Sequence, residues 1–313
     1  MAVSRTSDDL DIAIIGGGPA GVSCALAAKE LGLEVVLVES SGIGGQLLNL
    51  DEARFVPLSN EPQAGYDLAA QLGESADAAA IDVRLFAECD ELTRAAGGWS
   101  LSVDGAQIRA RNVVLATGTH PEEPEGGWAE KFLGAGVSHC AACDGPLYAG
   151  RAVALVGGSP WTLAEATSLS QHASEILVLI PAGEDLAPEL GERAGLDPAK
   201  VQIVREARNI EVTGGSAVES LSYKDAGGNP VARDIGGVFL GTSRSPNTTL
   251  VAGLVDTDER GFVMVDSNMR SSAENLYAVG EVRAGSAPLL TVVTADGVVA
   301  AAHIAGLLGG GMR

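Results

Sequence analysis

Two cysteines three positions apart and followed at once by an acid, Cys140-Ala141-Ala142-Cys143-Asp144-Gly145, form the most reactive constellation in the sequence. Thiols at that spacing can close a small disulfide ring. In thiol–disulfide exchange the thiolate is the nucleophile and the departing sulfur needs a proton, which a carboxyl group beside the second cysteine can carry. Zinc is the rival use of a C-x-x-C. A tetrahedral site normally takes four ligands, yet the remaining cysteines, Cys24 and Cys89, lie in separate segments and no second C-x-x-C exists. Metal ligation is not expected, and Cys24 and Cys89 are expected to be buried small residues. His139, next to Cys140, could lower a thiol pKa or simply sit in the loop. His120, His172 and His303 have no partners nearby in sequence and read as ordinary histidines.

A second chemistry lies in Gly16-Gly17-Gly18-Pro19-Ala20-Gly21, which follows the apolar run Asp11–Ile15 and precedes the Ala/Leu-rich stretch Val22–Leu31. In G-x-G-x-x-G the first glycine makes the tight turn and the second lets the backbone approach a pyrophosphate at the helix N-terminus. The third allows close helix–strand packing. Glu39 closes the next strand roughly 20 residues on, placed to accept from a ribose hydroxyl. The same order returns at Ala152–Val156, Gly157-Gly158-Ser159, a helical stretch to Leu169, and Ile176–Ile180. Here Ser159 stands at the close-approach glycine, Thr162 at the packing position, and Pro160-Trp161 between them. Proline removes an N–H donor and the indole adds bulk, so a nicotinamide dinucleotide is expected to fit poorly.

The elements that must position these residues follow from the pattern. Each glycine loop sits in a β-α-β unit, so two dinucleotide folds are expected from a weak internal repeat. Trp99–Val114, with Asp104-Gly105 as its turn signal, reads as a hairpin, and Ile210–Val231 has the same flavour. Ala116-Thr117-Gly118-Thr119 and Gly241–Asn247, built from small permissive residues, read as crossings between domains and as hinges.

Composition narrows the partners. A chain of 313 residues is comfortable for two domains. Forty-one acidic against 20 basic residues give a net charge of −21, which argues against nucleic acid or an anionic membrane as partner. No run of about 18 apolar residues is evident, and a soluble, cytoplasmic protein is expected. Four cysteines are too few for a disulfide scaffold.

Cys140-Ala-x-Cys143-Asp144-Gly145, with Gly16–Gly21, Gly44-Gly45-Gln46-Leu47, Ala116-Thr117-Gly118, Ser245-Pro246-Asn247-Thr248 and Tyr277-Ala278-Val279-Gly280-Glu281-Val282, resembles low-molecular-weight thioredoxin reductase over nearly the whole chain. The resemblance implies an α/β protein with two Rossmann-like domains, the second inserted in the first. Residues 1–117 and 245–313 would bind FAD, and 118–244 would carry the redox disulfide. It further implies FAD contacts from Gly16, Gly18, Pro19, Ala20, Gly21, Glu39, Gly45, Gln46, Leu47, Ala116, Thr117, Gly118, Gly280 and Glu281. Cys143 would face the flavin, Cys140 would attack a thioredoxin disulfide, Asp144 would serve as acid/base, and the chain would form a homodimer.

The sequence departs from that family where it binds NADPH. A His-Arg-Arg run and a further Arg are replaced by Ile180, Pro181, Ala182 and Leu186, with Glu184 and Asp185 nearby. Charged hydrogen bonds are worth roughly 1.5–3 kcal/mol each, so two or three losses would weaken NADPH by about a thousandfold or more. Arg205 and Arg208, one strand further on, could restore part of this but read as surface charge. The family's Gly-Asp ribityl contact is Gly280-Glu281, and its Arg-Gln-Ala triplet at the flavin is Leu289-Leu290-Thr291. Three functions are therefore in view. The first is a disulfide reductase fed by ferredoxin or another carrier and serving a thioredoxin-like protein. The second is an FAD-dependent dithiol oxidase using oxygen, and the third a flavin redox sensor without turnover.

Overall fold

The structure, a computed structural model, describes residues 10–53, 56, 59–184 and 196–309. It divides into two units, Met1–His120 with Ser245–Arg313, and Pro121–Arg244. Both are Rossmann-like, so the α/β architecture with one dinucleotide fold inserted in another is the one expected.

In the first unit the sheet runs Asp82–Leu85, Val35–Glu39, Leu10–Ile15, Ala106–Leu115, Gly98–Val103, Cys89–Ala95, with Leu276–Ala278 also pairing with Ala106–Leu115. The central strands are parallel, Ile14 lying beside Leu37 and Val114. They are buried on both faces, which is why Ile12–Ile15 and Val35–Val38 read as continuous apolar runs rather than alternating ones. Ala106–Leu115 serves two masters. Its first half alternates in burial and pairs antiparallel with Gly98–Val103, and from Asn112 onward it is wholly buried in the parallel sheet. Asp104 and Gly105, both at positive φ (48° and 77°), make the tight turn that the Asp-Gly pair signalled.

Helix Pro19–Glu30 packs against the C-terminal helix Leu290–Leu307. That helix corrects one expectation, because its eighteen residues are apolar enough by length and composition to span a membrane. Thr291, Thr294, Asp296 and His303 interrupt the run in sequence. In the fold one face of it packs into the protein: Val293, Gly297, Ala300, Ala301, Ile304 and Ala305 are buried and Asp296 is ion-paired there, while Val298, Val299 and Leu307 are exposed.

The second unit repeats the grammar. Its sheet runs Val137–Ser138, Val238–Leu240, Ala152–Val156, Glu175–Pro181, Val201–Thr213, Ser220–Lys224, Pro230–Asp234, the last two strands joining antiparallel. Val201–Thr213 switches partners midway, where Glu206 and Asn209 take positive φ. The two crossings, Thr119–Pro121 and Arg244–Pro246, pair with each other as a two-stranded ribbon.

Candidate active site

Strand Leu10–Ile15 delivers Gly16 at φ 110°, where a β-carbon would collide with Ala116 O. Gly21 is equally constrained, by Gly16 O. Gly18 is different. A β-carbon there would meet only Gly45 Cα, at 3.9 Å, so its glycine leaves room for a ligand rather than for the protein. Gly18 caps helix Pro19–Glu30 without a side-chain bond, Pro19 fills the first turn, and no acid lies in that turn. The helix terminus thus keeps its positive end for an anion. Glu39 ends its strand nearly buried, with Oε2 accepting from Gly17 N (2.6 Å) and Oε1 from Ser41 N and Oγ (2.7 and 2.9 Å). A carboxylate oxygen has acceptor capacity beyond one such bond. An open cradle, a free helix end and a strand-end acid fit the diphosphate and ribose of a dinucleotide.

The other expected cofactor residues join this loop in one connected group. Gly45 approaches Gly18, and Gln46 Nε2 donates to Thr119 O (3.0 Å), whose Oγ1 donates to Glu281 Oε2 (3.2 Å). Leu47 is buried against Leu68 and Ala69. Ala116 N bonds Ile15 O (2.8 Å), and Gly280, at φ 74°, lies against Ala20. Sequence reasoning missed two supports. Asn247 brackets Thr117, its Nδ2 donating to Thr117 O and its carbonyl accepting from Thr117 Oγ1, both at 2.7 Å. Asp296 holds Gly280 N (3.1 Å) and forks onto Arg283 (2.7 and 2.8 Å). A lone acid in a helix with no other Asp, Glu, Lys or Arg was the available signal.

In the second unit Cys140 and Cys143 are joined as a disulfide. Cys140 is the N-cap of the short helix Ala141–Asp144, and its Sγ accepts from Cys143 N (3.1 Å). Cys140 is buried and Cys143 exposed. Ser138 Oγ fastens the backbone of Cys140, accepting from its N–H at 3.0 Å, and Ala141 N donates to Glu165 Oε2 at 2.6 Å. His139 Nε2 lies 3.3 Å from Glu123 Oε1, while its buried Nδ1 has no hydrogen-bond partner among the described residues. Asp144 is half-buried at the helix end. It contributes, after burial itself, to raising the pKa of Tyr148. Of the two free cysteines, Cys24 is buried as expected and its pKa is pushed up to about 12 by burial. Cys89 is only half-buried, a correction, because its edge strand leaves one side in solvent. Burial still raises it to about 11. Among the described residues no cluster of His, Cys, Asp and Glu could hold a metal.

The second glycine loop is occupied by its own chain. Gly157 (φ 146°) turns against Gly241 as Gly16 turns against Ala116. At the close-approach position Ser159 Oγ donates to Gly241 O (2.7 Å) and accepts from Trp161 N (3.2 Å), taking a helix-terminal donor. Thr162 Oγ1 also donates to Gly241 O (2.8 Å). Glu184 Oε2 accepts from Gly158 N (2.6 Å), and burial raises its pKa despite that bond. The guanidinium of Arg244 stacks over Trp161 at 5.0 Å. Ile180, Pro181 and Ala182 stand at and just beyond the strand end, whereas Asp185 and Leu186 lie outside the described residues. Arg208 is exposed and paired with Glu206 (3.0 Å).

A sequence profile of the pyridine nucleotide-disulphide oxidoreductase family matches residues 10–306. Thioredoxin reductase from Peptoclostridium litorale is 27% identical, over 93% of this chain and 94% of that one. Among solved structures, Lactococcus lactis thioredoxin reductase has the same fold, with a TM-score of 0.89 at 23% identity, covering 96% and 99% of the two chains. A ferredoxin-flavin thioredoxin reductase from Clostridium acetobutylicum is 27% identical, with a TM-score of 0.53 over 96% and 99%.

Proposed function

The chain belongs to the pyridine nucleotide-disulphide oxidoreductase family, and we propose that it is a thioredoxin-reductase-type enzyme whose electron donor is ferredoxin or another carrier rather than NADPH. It is an FAD-dependent disulfide oxidoreductase. Its proposed acceptor is thioredoxin or a similar protein, and its proposed setting is a cytoplasmic homodimer.

The residues divide the work. The loop Gly16–Gly21 takes the FAD pyrophosphate and Glu39 the adenosine ribose. Gly45, Gln46, Leu47, Ala116, Thr117, Gly118, Gly280 and Glu281 hold the remainder. When bound, FAD supplies two-electron exchange with the Cys140–Cys143 disulfide. Reduction adds two electrons and two protons and leaves two thiols. Cys143 is assigned as the sulfur facing the flavin, in keeping with its exposure, and Cys140 as the thiolate released, helped by the Cys143 N–H already directed at its sulfur. Cys140 then attacks one sulfur of the partner disulfide, Cys143 attacks the mixed disulfide, and Asp144 carries the protons.

One observation carries the choice of donor. Where NADPH needs open amides and cations, the Ser159 hydroxyl has taken a helix-terminal N–H, and Ile180, Pro181 and Ala182 offer no charge. The test is an anaerobic titration of the oxidised holoprotein. NADPH should leave the flavin absorbance unchanged and reduced ferredoxin should bleach it. Stoichiometric bleaching by NADPH would overturn the proposal. Rapid peroxide from dithiol and air would identify the oxidase instead, and no turnover with any thioredoxin would leave the sensor. Cys143→Ser should abolish the long-wavelength thiolate–flavin absorbance of the reduced protein and Cys140→Ser should keep it. Equal effects would refute the assigned order.

A further inference from the structure

Helix Pro160–Ser170, which follows the second glycine loop, carries a carboxylate that the redox chemistry above does not use. Glu165 is 6% exposed, and its Oε2 accepts from Ala141 N at 2.6 Å, one peptide link from Cys140. Ala141 itself is fully buried in an apolar cluster with Ala166, Leu169 and Phe239, so water does little to screen a charge there. A thiolate at a helix N-terminus is normally stabilised by the first free amides, and a stabilised thiolate makes its disulfide easier to reduce and a poorer reductant once reduced. Here the Cys143 amide is directed at the Cys140 sulfur, while the first amide of the turn, Ala141 N, holds a carboxylate beside it.

We propose that Glu165 is a positioning residue for the redox pair: it fixes the Cys140 turn through Ala141 N, and its charge opposes the Cys140 thiolate, keeping the dithiol strongly reducing. The inference rests on Cys140 and Cys143 being the redox pair. Among the described residues, ionisable groups that flank the turn include Asp144 at its end and His139, paired with Glu123, before it. His172 packs against Gly145, and Tyr148 lies near enough to Asp144 for that charge, after burial, to help raise its pKa. Asp144 adds to the opposition and protonated His139 would relieve it, so the glutamate is best isolated by changing its charge and nothing else.

Glu165→Gln keeps an acceptor oxygen for Ala141 N and removes the charge. In the FAD-loaded full chain, reduced and alkylated across pH with Cys140 followed by peptide mass spectrometry, the variant should alkylate at a midpoint about one pH unit lower. Its equilibrium with dithiothreitol should shift about tenfold toward the dithiol, about 30 mV, with the melting temperature little changed. Glu165→Ala, which also loses the bond, should shift the same way and melt earlier. A glutamine variant matching wild type in both midpoint and equilibrium overturns the proposal and leaves Glu165 a helix cap. A shift in the alanine variant alone does the same. Should the glutamine chain not fold, Glu165→Asp, which keeps the charge, is set beside Glu165→Ala: a lower Cys140 midpoint in the alanine variant than in the aspartate one supports the proposal, and equal midpoints defeat it. If Cys140 and Cys143 in wild type do not exchange with dithiothreitol at all, the redox-pair reading fails, which this experiment distinguishes from a redox-active pair insensitive to Glu165.

Discussion

Both glycine loops have their middle amide taken by a carboxylate, Gly17 N by Glu39 and Gly158 N by Glu184, each at 2.6 Å. The consequences differ because Glu39 closes its strand and receives three bonds, whereas burial and the nearby Glu122 raise the pKa of Glu184. An acid whose folded-state pKa is raised destabilises the fold when ionised. The penalty is present above the folded pKa and disappears as pH falls toward the unfolded value. Glu184→Gln should therefore raise the melting temperature at about pH 7.5, with the gap to wild type closing toward about pH 4.5. Calorimetry across that range checks it, and a gap that widened on acidification would contradict the sign. Glu39 was legible because strand end and spacing locate it. Glu184 registered in sequence only as negative charge, since the bond to Gly158 depends on a turn after the strand that no local signal specifies. Cys89 was misjudged for a related reason: an edge strand reads like a central one until its neighbours are known.

At the scale of elements, the close approach of helices Pro19–Glu30 and Leu290–Leu307 is set by Gly297, where a β-carbon would collide with Ala20 O. Gly306, in the same helix, has nothing within 4 Å of that position. One substitution should thus act with opposite signs. Gly297→Ala forces the helices apart and should cost roughly 1–3 kcal/mol, while Gly306→Ala should gain roughly 0.5–1 kcal/mol from backbone entropy. Denaturant titration of the two variants gives the comparison, and equal effects would refute the contact. Asp296 belongs to the same interface. Removing it leaves the partly buried Arg283 without its carboxylate partner and Gly280 N without an acceptor. Asp296→Ala should cost about 3–5 kcal/mol and release FAD on dilution, read as lost yellow colour. The strands, both glycine turns and the Asp104-Gly105 hairpin were readable because each has a local period or a turn residue. The C-terminal helix was not, because its apolar residues surround it and its few polar ones look like interruptions until Arg283 is placed beside Asp296.

At the scale of the whole molecule, the repeat of one dinucleotide fold inside another was visible in sequence. The partner has to be inferred from field and chemistry. The net charge of −21 produces a negative potential that extends beyond contact at low salt and is screened over about 8 Å at physiological ionic strength. An acidic carrier protein is repelled by such a field, so its encounter rate should rise as salt is added, the reverse of the steering seen between opposite charges. If ferredoxin is the donor, the second-order rate of flavin reduction, followed by anaerobic stopped flow, should increase several-fold between roughly 10 and 150 mM salt. An uncharged reductant should show no such dependence. A rate that fell with salt would mean that the two proteins meet through a local basic patch strong enough to outweigh the total charge, and docking would then have to be sought around the arginines rather than explained by the field of the whole.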